Sequence, residues 1–247
     1  TWEAKGVQLK AKAKGADYIL DGTKLFVPDA HVADDIIVVA RTGRGAKPEN
    51  GVSLFLVSGK APGITHTVLK TIASDKQCEV VFDGVAVPAR NMVGALNKGW
   101  PVVEKTLQRA AVAKCAEMVG GAQRVLEMTV DYAKQRVQFG RPIGSFQAIQ
   151  HYCANMVTDV DGARFVTYEA AWRLQEGLPC AKEVSMAKAW TSEAYRRVTA
   201  LGHQIHGGIG FTKEHDMQLY FRRAKAAELA YGDADFHRER VAQQMGL

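Results

Sequence analysis

The sequence has no hydrophobic run that approaches the roughly 18 residues a membrane helix needs, so we predict no transmembrane span. Cysteine is scarce: the 247 residues include four, and none are spaced as Cys-x-x-Cys. Scattered cysteines in a chain this long are typical of reduced thiols in a cytoplasmic protein. The N-terminus has neither Met nor an apolar signal core. We therefore expect no secretion, and we expect the chain to be a piece of a longer protein.

Charge of one sign is not concentrated anywhere in the chain. The net charge is +6, and the residues before and after position 99 each contribute about half of it. The densest basic cluster, 222–225, is too short to follow a phosphate backbone, so we expect no nucleic-acid partner. Hydrophobic residues at 47% and charged residues at 23% are ordinary globular values, which excludes a disordered or fibrous chain.

General catalytic and metal-binding motifs are also missing. The sequence has no Walker loop, no Gly-x-Ser-x-Gly and no His-Glu-x-x-His. His203 and His206 are spaced for one helix face, but no third ligand stands near them in sequence. We interpret both as polar or capping histidines and predict no metal site.

The first part of the chain, 1–99, has the pattern of a β domain. Turn residues recur at regular intervals, and short runs rich in β-branched and aromatic residues lie between them, with no helical pattern. This alternation predicts an antiparallel β sandwich or barrel. The runs are 18–20, 24–27, 36–40, 53–57 and 78–82.

From residue 100 onward, the apolar residues recur at intervals of three and four residues, which is the period of an amphipathic helix. Three long stripes predict three long helices, a shorter helix follows, and a last one begins near Asp233. Long antiparallel helices joined by short loops predict a four- to five-helix bundle over 100–247. The fold class is therefore α+β. The stripes lie at 111–132, 149–174 and 184–201, and the shorter helix at 217–230.

Several segments carry a family resemblance. Segment 136–140 reads Arg-Val-Gln-Phe-Gly, and Gln147 follows Arg136 by eleven positions. Segment 204–211 reads Gln-Ile-His-Gly-Gly-Ile-Gly-Phe, which alone would indicate only a helix end and a turn. With 21–28, 85–88, 97–100 and 222–225, these segments resemble the ordered signatures of the acyl-CoA dehydrogenase family. The resemblance covers the family's middle β domain and C-terminal helical bundle but not its N-terminal helical domain.

The resemblance implies FAD as cofactor, an acyl-CoA substrate and an electron-acceptor protein, in fatty acid or lipid metabolism. It also implies a dimer of dimers, as a homo- or hetero-oligomer, in which these motifs meet across a dimer interface and each FAD is held by two subunits. A guanidinium such as that of Arg136 suits a pyrophosphate, and glycines let backbone N–H groups approach closely. The implied cofactor-binding residues are Phe26, Val27, Pro28, Arg136, Gln138, Phe139, Gln147, Gln204, Gly207, Gly208, Asp233 and Asp235.

The sequence departs from the family at its catalytic base. Tyr231 stands where most members carry the Glu that removes the substrate α-proton, and Ala110 stands where other members place it. Pro28 replaces a Thr expected to bond the flavin. Asp233 is the nearest candidate base, but Asp at a helix start favours an N-cap over a base.

Three functions remain open from the sequence. The first is a dehydrogenase of acyl-CoA thioesters whose base is not identified. The second is a base-deficient subunit that pairs with a catalytic homologue. The third is a flavin monooxygenase of the same fold, which needs no α-proton base. The missing Glu favours the second and third, and the usual chemistry of the family favours the first.

Overall fold

A computed structural model describes residues 2–247, which form two compact units that divide between residues 106 and 107. The division between the units falls inside the long helix α1, Trp100–Gln135. The boundary after residue 99, which the change of period indicates, stays a prediction.

The first unit is built on one seven-stranded sheet with the order β5-β6-β2-β1-β3-β4-β7. Neighbouring strands are antiparallel except β1 and β3, which are parallel where Lys10 faces Arg41. The strands are β1 Lys10–Lys14, β2 Asp17–Pro28, β3 Asp35–Arg41, β4 Val52–Ser58, β5 Ile64–Leu69, β6 Gln77–Pro88 and β7 Met92–Val93.

Alternating burial along the strands forms the core of this unit. In β6 the side chains of Cys78, Val80 and Phe82 point inward while their neighbours are only half-buried. All five runs predicted as strands lie in strands, and the prediction of an antiparallel β domain is confirmed. The strand β1 was not predicted, because its Lys-Ala-Lys-Ala-Lys sequence offers no large apolar residue and buries only Ala11.

The second unit contains the helices. They are α1 Trp100–Gln135, α2 Gln147–Gln175, α3 Ala181–His206, α4 Met217–Leu229 and α5 Ala234–Gln244. A two-stranded hairpin, β8 Val137–Gln138 and β9 Arg141–Pro142, connects α1 to α2.

The predicted apolar stripes form the core of the bundle, so the prediction of helices at these positions is confirmed. Cys115 and Met118 of α1, Met156 of α2 and Val198 of α3 are fully buried in one cluster. The helix α3 packs against α2, α4 and α5 and is therefore the central helix. Among residues 2–247, no helix combines the length and apolarity required to cross a bilayer.

Candidate functional site

The first candidate segment begins where α1 ends. The backbone N–H of Arg136 still donates to the Tyr132 carbonyl at 2.8 Å, and the Arg136 carbonyl accepts from the Ile143 N–H at 2.8 Å. The chain then turns at Phe139 and Gly140, whose φ angles of 52° and 79° suit a two-residue hairpin loop. This hairpin holds Arg136 at the surface. Within residues 2–247, its guanidinium forms no hydrogen bond or ion pair and is open to an anionic ligand.

The ring of Phe146 organises the side chains around this hairpin. Arg141 lies over the ring at 4.2 Å from its centroid, and Phe139 meets it edge-on with centroids 6.0 Å apart. Phe139 itself is 91% exposed, which leaves one aromatic face open for a ligand or a partner chain. Gln138 in the hairpin and Gln147 at the start of α2 are also exposed.

The second candidate segment is the end of α3. Gly207 closes the helix with φ 63° and ψ −142°, and its N–H donates to the His203 carbonyl. An L side chain rarely adopts this conformation, so the backbone itself requires glycine here. A Cβ at Gly207 or Gly208 would meet nothing within 4 Å, and Gln204 in the last turn is exposed. The two glycines thus present open backbone at the surface.

One contact joins the two segments inside a single chain. The rings of Tyr132 and His206 stack with centroids 4.5 Å apart, and the Tyr132 hydroxyl donates to the His206 carbonyl at 3.4 Å. The imidazole of His206 bonds the Gly202 carbonyl through Nδ1 at 2.8 Å, so its orientation is fixed. The ends of α1 and α3 therefore lie side by side. The resemblance implied that these motifs meet across a dimer interface, whereas this contact lies within one chain.

The histidines of α3 pack as aromatic rings. His203 lies against Phe211 and Phe221, with centroids 4.6 and 4.8 Å away, and neither of its buried ring nitrogens has a hydrogen-bond partner. Burial lowers the pKa of both His203 and His206, which favours uncharged rings. In residues 2–247, no three His, Cys, Asp or Glu side chains converge in a way that suits a metal ion.

The segment that carries Tyr231 is held by buried donors. Tyr231 has φ 60° and Gly232 has φ 101°, both in the left-handed region. The Tyr231 carbonyl accepts from His237 Nε2 at 3.0 Å, and the Gly232 carbonyl accepts from Lys188 Nζ at 2.8 Å. The Tyr231 ring is half-buried against the core of the bundle. A bulky residue at positive φ is uncommon, so the surrounding contacts must hold it there.

The two aspartates that follow have different surroundings. Asp233 is the N-cap of α5, and its Oδ1 accepts from the Phe236 N–H at 2.9 Å. The interpretation of Asp233 as a helix cap is confirmed, and its carboxylate is already engaged. Asp235 is exposed and forms an i,i+3 ion pair with Arg238 at 3.1 Å.

Sequence reasoning missed Lys188, which is fully buried in α3. Its ammonium donates to Ser192 Oγ at 3.0 Å and to the Glu228 and Gly232 carbonyls at 2.9 and 2.8 Å. The available signal was its spacing: it lies four residues after Val184 and three before Thr191, on the buried face. A lysine on such a face is rarely buried without a specific partner.

The candidate residues of the first unit lie at a bulge in β2. Lys24 pairs with Val80 and Val27 pairs with Cys78, so two residues of β2 stand opposite one residue of β6. Phe26 takes φ 57° there and is 63% exposed. Val27 is half-buried, and exposed Pro28 ends the strand. The side chains of 26–28 are apolar, so only backbone groups could bond a ligand here.

The second unit can hold a group like FAD at the ends of α1 and α3. Arg136 supplies an exposed cation with no partner in residues 2–247, and Gln147 and Gln204 supply exposed amides. Gly207 and Gly208 leave open space where a Cβ would stand. Unpaired donors beside open glycine backbone are what a pyrophosphate and a ribose require.

Comparison with known families covers nearly the whole chain. A family model described as acyl-CoA dehydrogenase, middle domain, matches residues 3–85. A second, described as acyl-CoA dehydrogenase, C-terminal domain, matches residues 97–246.

Comparison with individual proteins gives the same family. The probable acyl-CoA dehydrogenase YngJ of Bacillus subtilis is 35% identical over 246 residues, covering 98% of this chain and 65% of that protein. The structure of butyryl-CoA dehydrogenase from Megasphaera elsdenii superposes with a TM-score of 0.95 at 31% identity, covering all of this chain and 65% of that one. The structure of PigA with FAD and proline gives a TM-score of 0.94 at 28% identity, covering 98% of this chain and 64% of that one. The chain thus spans about two thirds of the length of these proteins.

Proposed function

This chain belongs to the acyl-CoA dehydrogenase family, and we propose that it forms the middle and C-terminal parts of an FAD-dependent oxidoreductase. The reaction that we propose is α,β-dehydrogenation of an acyl-CoA thioester, in fatty acid or lipid metabolism. Bound FAD would supply the acceptor for the β-hydride. Two electrons leave the substrate in each turnover, so an electron-acceptor protein is the expected partner.

One observation carries the cofactor assignment: the Tyr132–His206 contact brings the two family motifs to the same end of the bundle. The segment that follows α1, on the Tyr132 side of this contact, supplies Arg136, Gln138, Phe139 and Gln147. Gln204, Gly207 and Gly208 lie on the other side and complete the phosphate- and ribose-binding residues in this proposal. For segment 26–28 of the first unit, the flavin contact that the family resemblance implies stays a proposal, and Pro28, which has no N–H, offers only its carbonyl.

The dehydrogenase reaction requires a general base that removes the α-proton of the substrate, and Tyr231 stands where the family carries that Glu. A phenol hydroxyl is a far weaker general base than a carboxylate, so Tyr231 is a poor replacement for the Glu of the family. Asp233 keeps its carboxylate on the Phe236 N–H, which opposes a second role as base. The Tyr231 ring instead takes up space where the family places a carboxylate.

A second function is favoured by that same tyrosine. A subunit that supplies part of an FAD site but lacks a base is useful when paired with a catalytic homologue. In such a hetero-oligomer, this chain would bind FAD and present an interface, and its partner would abstract the proton. The flavin monooxygenase assignment fits the absent base equally, because oxygen activation needs no α-proton base.

An oligomer is supported by the outer face of α2. This face carries three aromatic residues at intervals of three and four, each more than half exposed: Phe165, Tyr168 and Trp172. Contiguous exposed aromatic surface of this kind marks a protein interface. We propose a dimer of dimers, homo- or hetero-oligomeric. We also propose a cytoplasmic location, because all four cysteines are free thiols.

Native mass spectrometry of the purified complete protein tests these assignments together. FAD with one type of chain, followed by bleaching of the flavin under anaerobic acyl-CoA, supports the dehydrogenase. A second chain of similar size indicates the base-deficient subunit. Rapid oxygen consumption by the reduced flavin, without bleaching by acyl-CoA, indicates the monooxygenase. A complete protein that retains no flavin contradicts all three.

A further inference from the structure

The buried ammonium of Lys188 has three hydrogen-bond acceptors and no carboxylate partner. Its Nζ donates to Ser192 Oγ and to the backbone carbonyls of Glu228 and Gly232, all within 3.0 Å. In residues 2–247 no Asp or Glu side chain forms an ion pair with it. Three donors therefore meet three acceptors, and two of these acceptors belong to one stretch of backbone.

Burying this lysine is unfavourable for the fold alone. Burial lowers the pKa of Lys188 to about 8. Electrostatic attraction to the neighbouring Cys115, Glu228 and Asp233 acts in the opposite direction and raises the pKa, but by less. Burial also raises the pKa of the Cys115 thiol to about 12, so at pH 7 this neighbour is not a counter-ion. A methionine would fill the same volume without desolvating a charge. A specific role of the ammonium would account for its presence here.

The two carbonyls flank Tyr231. Glu228 lies in the last turn of α4, and Gly232 directly follows Tyr231, so Lys188 bridges both ends of the segment 228–232. A third hydrogen bond holds the same segment, since His237 Nε2 donates to the Tyr231 carbonyl at 3.0 Å.

The backbone of this segment also needs such support. Tyr231 has φ 60°, which is uncommon for a bulky residue, and a Cβ at Gly232 would collide with the ring of Phe236. Conformations of this kind persist only where neighbouring groups hold them. The direction of the Tyr231 ring therefore depends on the donors that hold the adjacent carbonyls.

We propose that Lys188 is a positioning residue: by holding the carbonyls of Glu228 and Gly232, its ammonium fixes the Tyr231 ring and thereby sets which acyl groups fit beside the thioester. The fixing of the loop rests on the contacts of this chain. The effect on acyl selection rests, in addition, on the proposed function. The ligand class at stake is the acyl-CoA thioester, and the affected parameter is its binding rather than FAD retention.

The first test is amide hydrogen exchange over 228–233 in the complete protein. Lys188→Met fills the space but removes all three donors, so we expect exchange of these amides to accelerate at least about tenfold. Lys182→Met, the same change at a half-exposed position of α3, should leave them unchanged. Ser192→Ala should also preserve most of the protection, because both carbonyl bonds remain. Equal exchange in Lys188→Met and the wild type overturns the positioning role.

A second measurement needs no variant and covers the case in which Lys188→Met fails to fold. Above pH 8 the amine is increasingly neutral. It keeps two N–H donors for the two carbonyls and can accept from the Ser192 hydroxyl, but both carbonyl bonds lose the assistance of the positive charge and weaken. Exchange over 228–233, corrected for its intrinsic pH dependence, should rise with pH while that of 190–200 stays constant. The ionisable groups around Lys188 are Cys115 and Lys114 of α1, Glu228 of α4, and Asp233 and His237 at α5. A flat corrected profile overturns the proposal.

Acyl selection is tested by the affinity for a series of acyl-CoA chain lengths. Relative to the wild type, Lys188→Met should change the dissociation constant of acyl-CoA several-fold at some chain lengths and little at others. Its FAD content should stay at the wild-type level. Tyr231→Ala should shift the same profile. If the loop exchanges faster in Lys188→Met but neither variant alters acyl-CoA affinity, the loop-fixing role stands, and the placement of Tyr231 at the thioester is wrong.

Discussion

Tyr132 stacks on His206 with ring centroids 4.5 Å apart, and this contact brings the end of α1, one turn before Arg136, to the end of α3, where Gly207 and Gly208 follow His206. Two segments separated by some 70 residues of sequence are thus brought to one surface of one chain. A ligand with a pyrophosphate and a ribose can be bound there by both segments.

Arg136→Ala should weaken FAD binding in the complete protein. A charge-assisted bond to a phosphate contributes roughly 1.5–3 kcal/mol, so the dissociation constant should rise about tenfold or more. Arg124→Ala is the matched control, since Arg124 is an exposed arginine of α1, three turns before Arg136, and pairs with Glu127 at 3.5 Å. Such exposed pairs contribute about 0–1 kcal/mol to stability. Equal flavin content in the two variants would remove Arg136 from the site.

Gly207→Ala and Gly208→Ala should differ in stability but agree in FAD binding. Only Gly207 has positive φ, so its alanine variant should lose about 1–3 kcal/mol in the free energy of unfolding. A Cβ at Gly208 meets nothing within 4 Å, so Gly208→Ala should unfold like the wild type. Both variants should bind FAD less tightly, because a methyl group stands where the ligand approaches. Unimpaired binding in Gly208→Ala would show that no ligand comes close to this backbone.

The stability of the chain should fall as the pH decreases from about 6.5 towards 4. Burial lowers the pKa of His237 from 6.5 to about 4, so in this range the unfolded chain binds a proton that the folded chain does not. Stability therefore rises with pH here, and the contribution of His237 is fully present above pH 6.5. Its loss approaches roughly 3 kcal/mol in the free energy of unfolding on full acidification, for a shift of this size.

Denaturant unfolding at several pH values measures this contribution. The slope of stability against pH between 4 and 6.5 should become shallower in His237→Gln. His151→Gln, at an exposed position of α2, should retain the wild-type slope. An identical slope in His237→Gln and the wild type would assign the acid sensitivity to other groups.

Periodicity predicts the helices because each stripe depends only on residues three and four apart. The end of α3 at Gly207 and the start of α5 at Asp233 follow equally from local signals, a glycine and a capping aspartate. The burial and hydrogen bonding of Lys188 do not follow from local signals, because its two carbonyl acceptors lie 40 and 44 residues away in sequence. Tyr231 was noticed only by comparison with a family motif, and no local pattern predicts its positive φ. Long-range contacts of this kind decide the site and are not visible from the sequence.

Tyr231 stands where the family carries its catalytic Glu, so its hydroxyl should have no part in turnover. We expect Tyr231→Phe to leave any dehydrogenation of acyl-CoA unchanged, since the ring stays and only the hydroxyl is lost.

Tyr231→Glu restores a carboxylate at the family position, and a positioned base contributes about 10²–10⁴-fold. We therefore expect Tyr231→Glu to raise turnover in the complete protein. Asp233→Asn separates capping from catalysis, because Asn caps a helix about as well as Asp but has no carboxylate. If Asp233→Asn alone abolishes turnover while the free energy of unfolding is kept, the base is Asp233. If Tyr231→Phe abolishes a brisk wild-type turnover, the hydroxyl takes part in the reaction, and the view of Tyr231 as a space-filling ring is wrong.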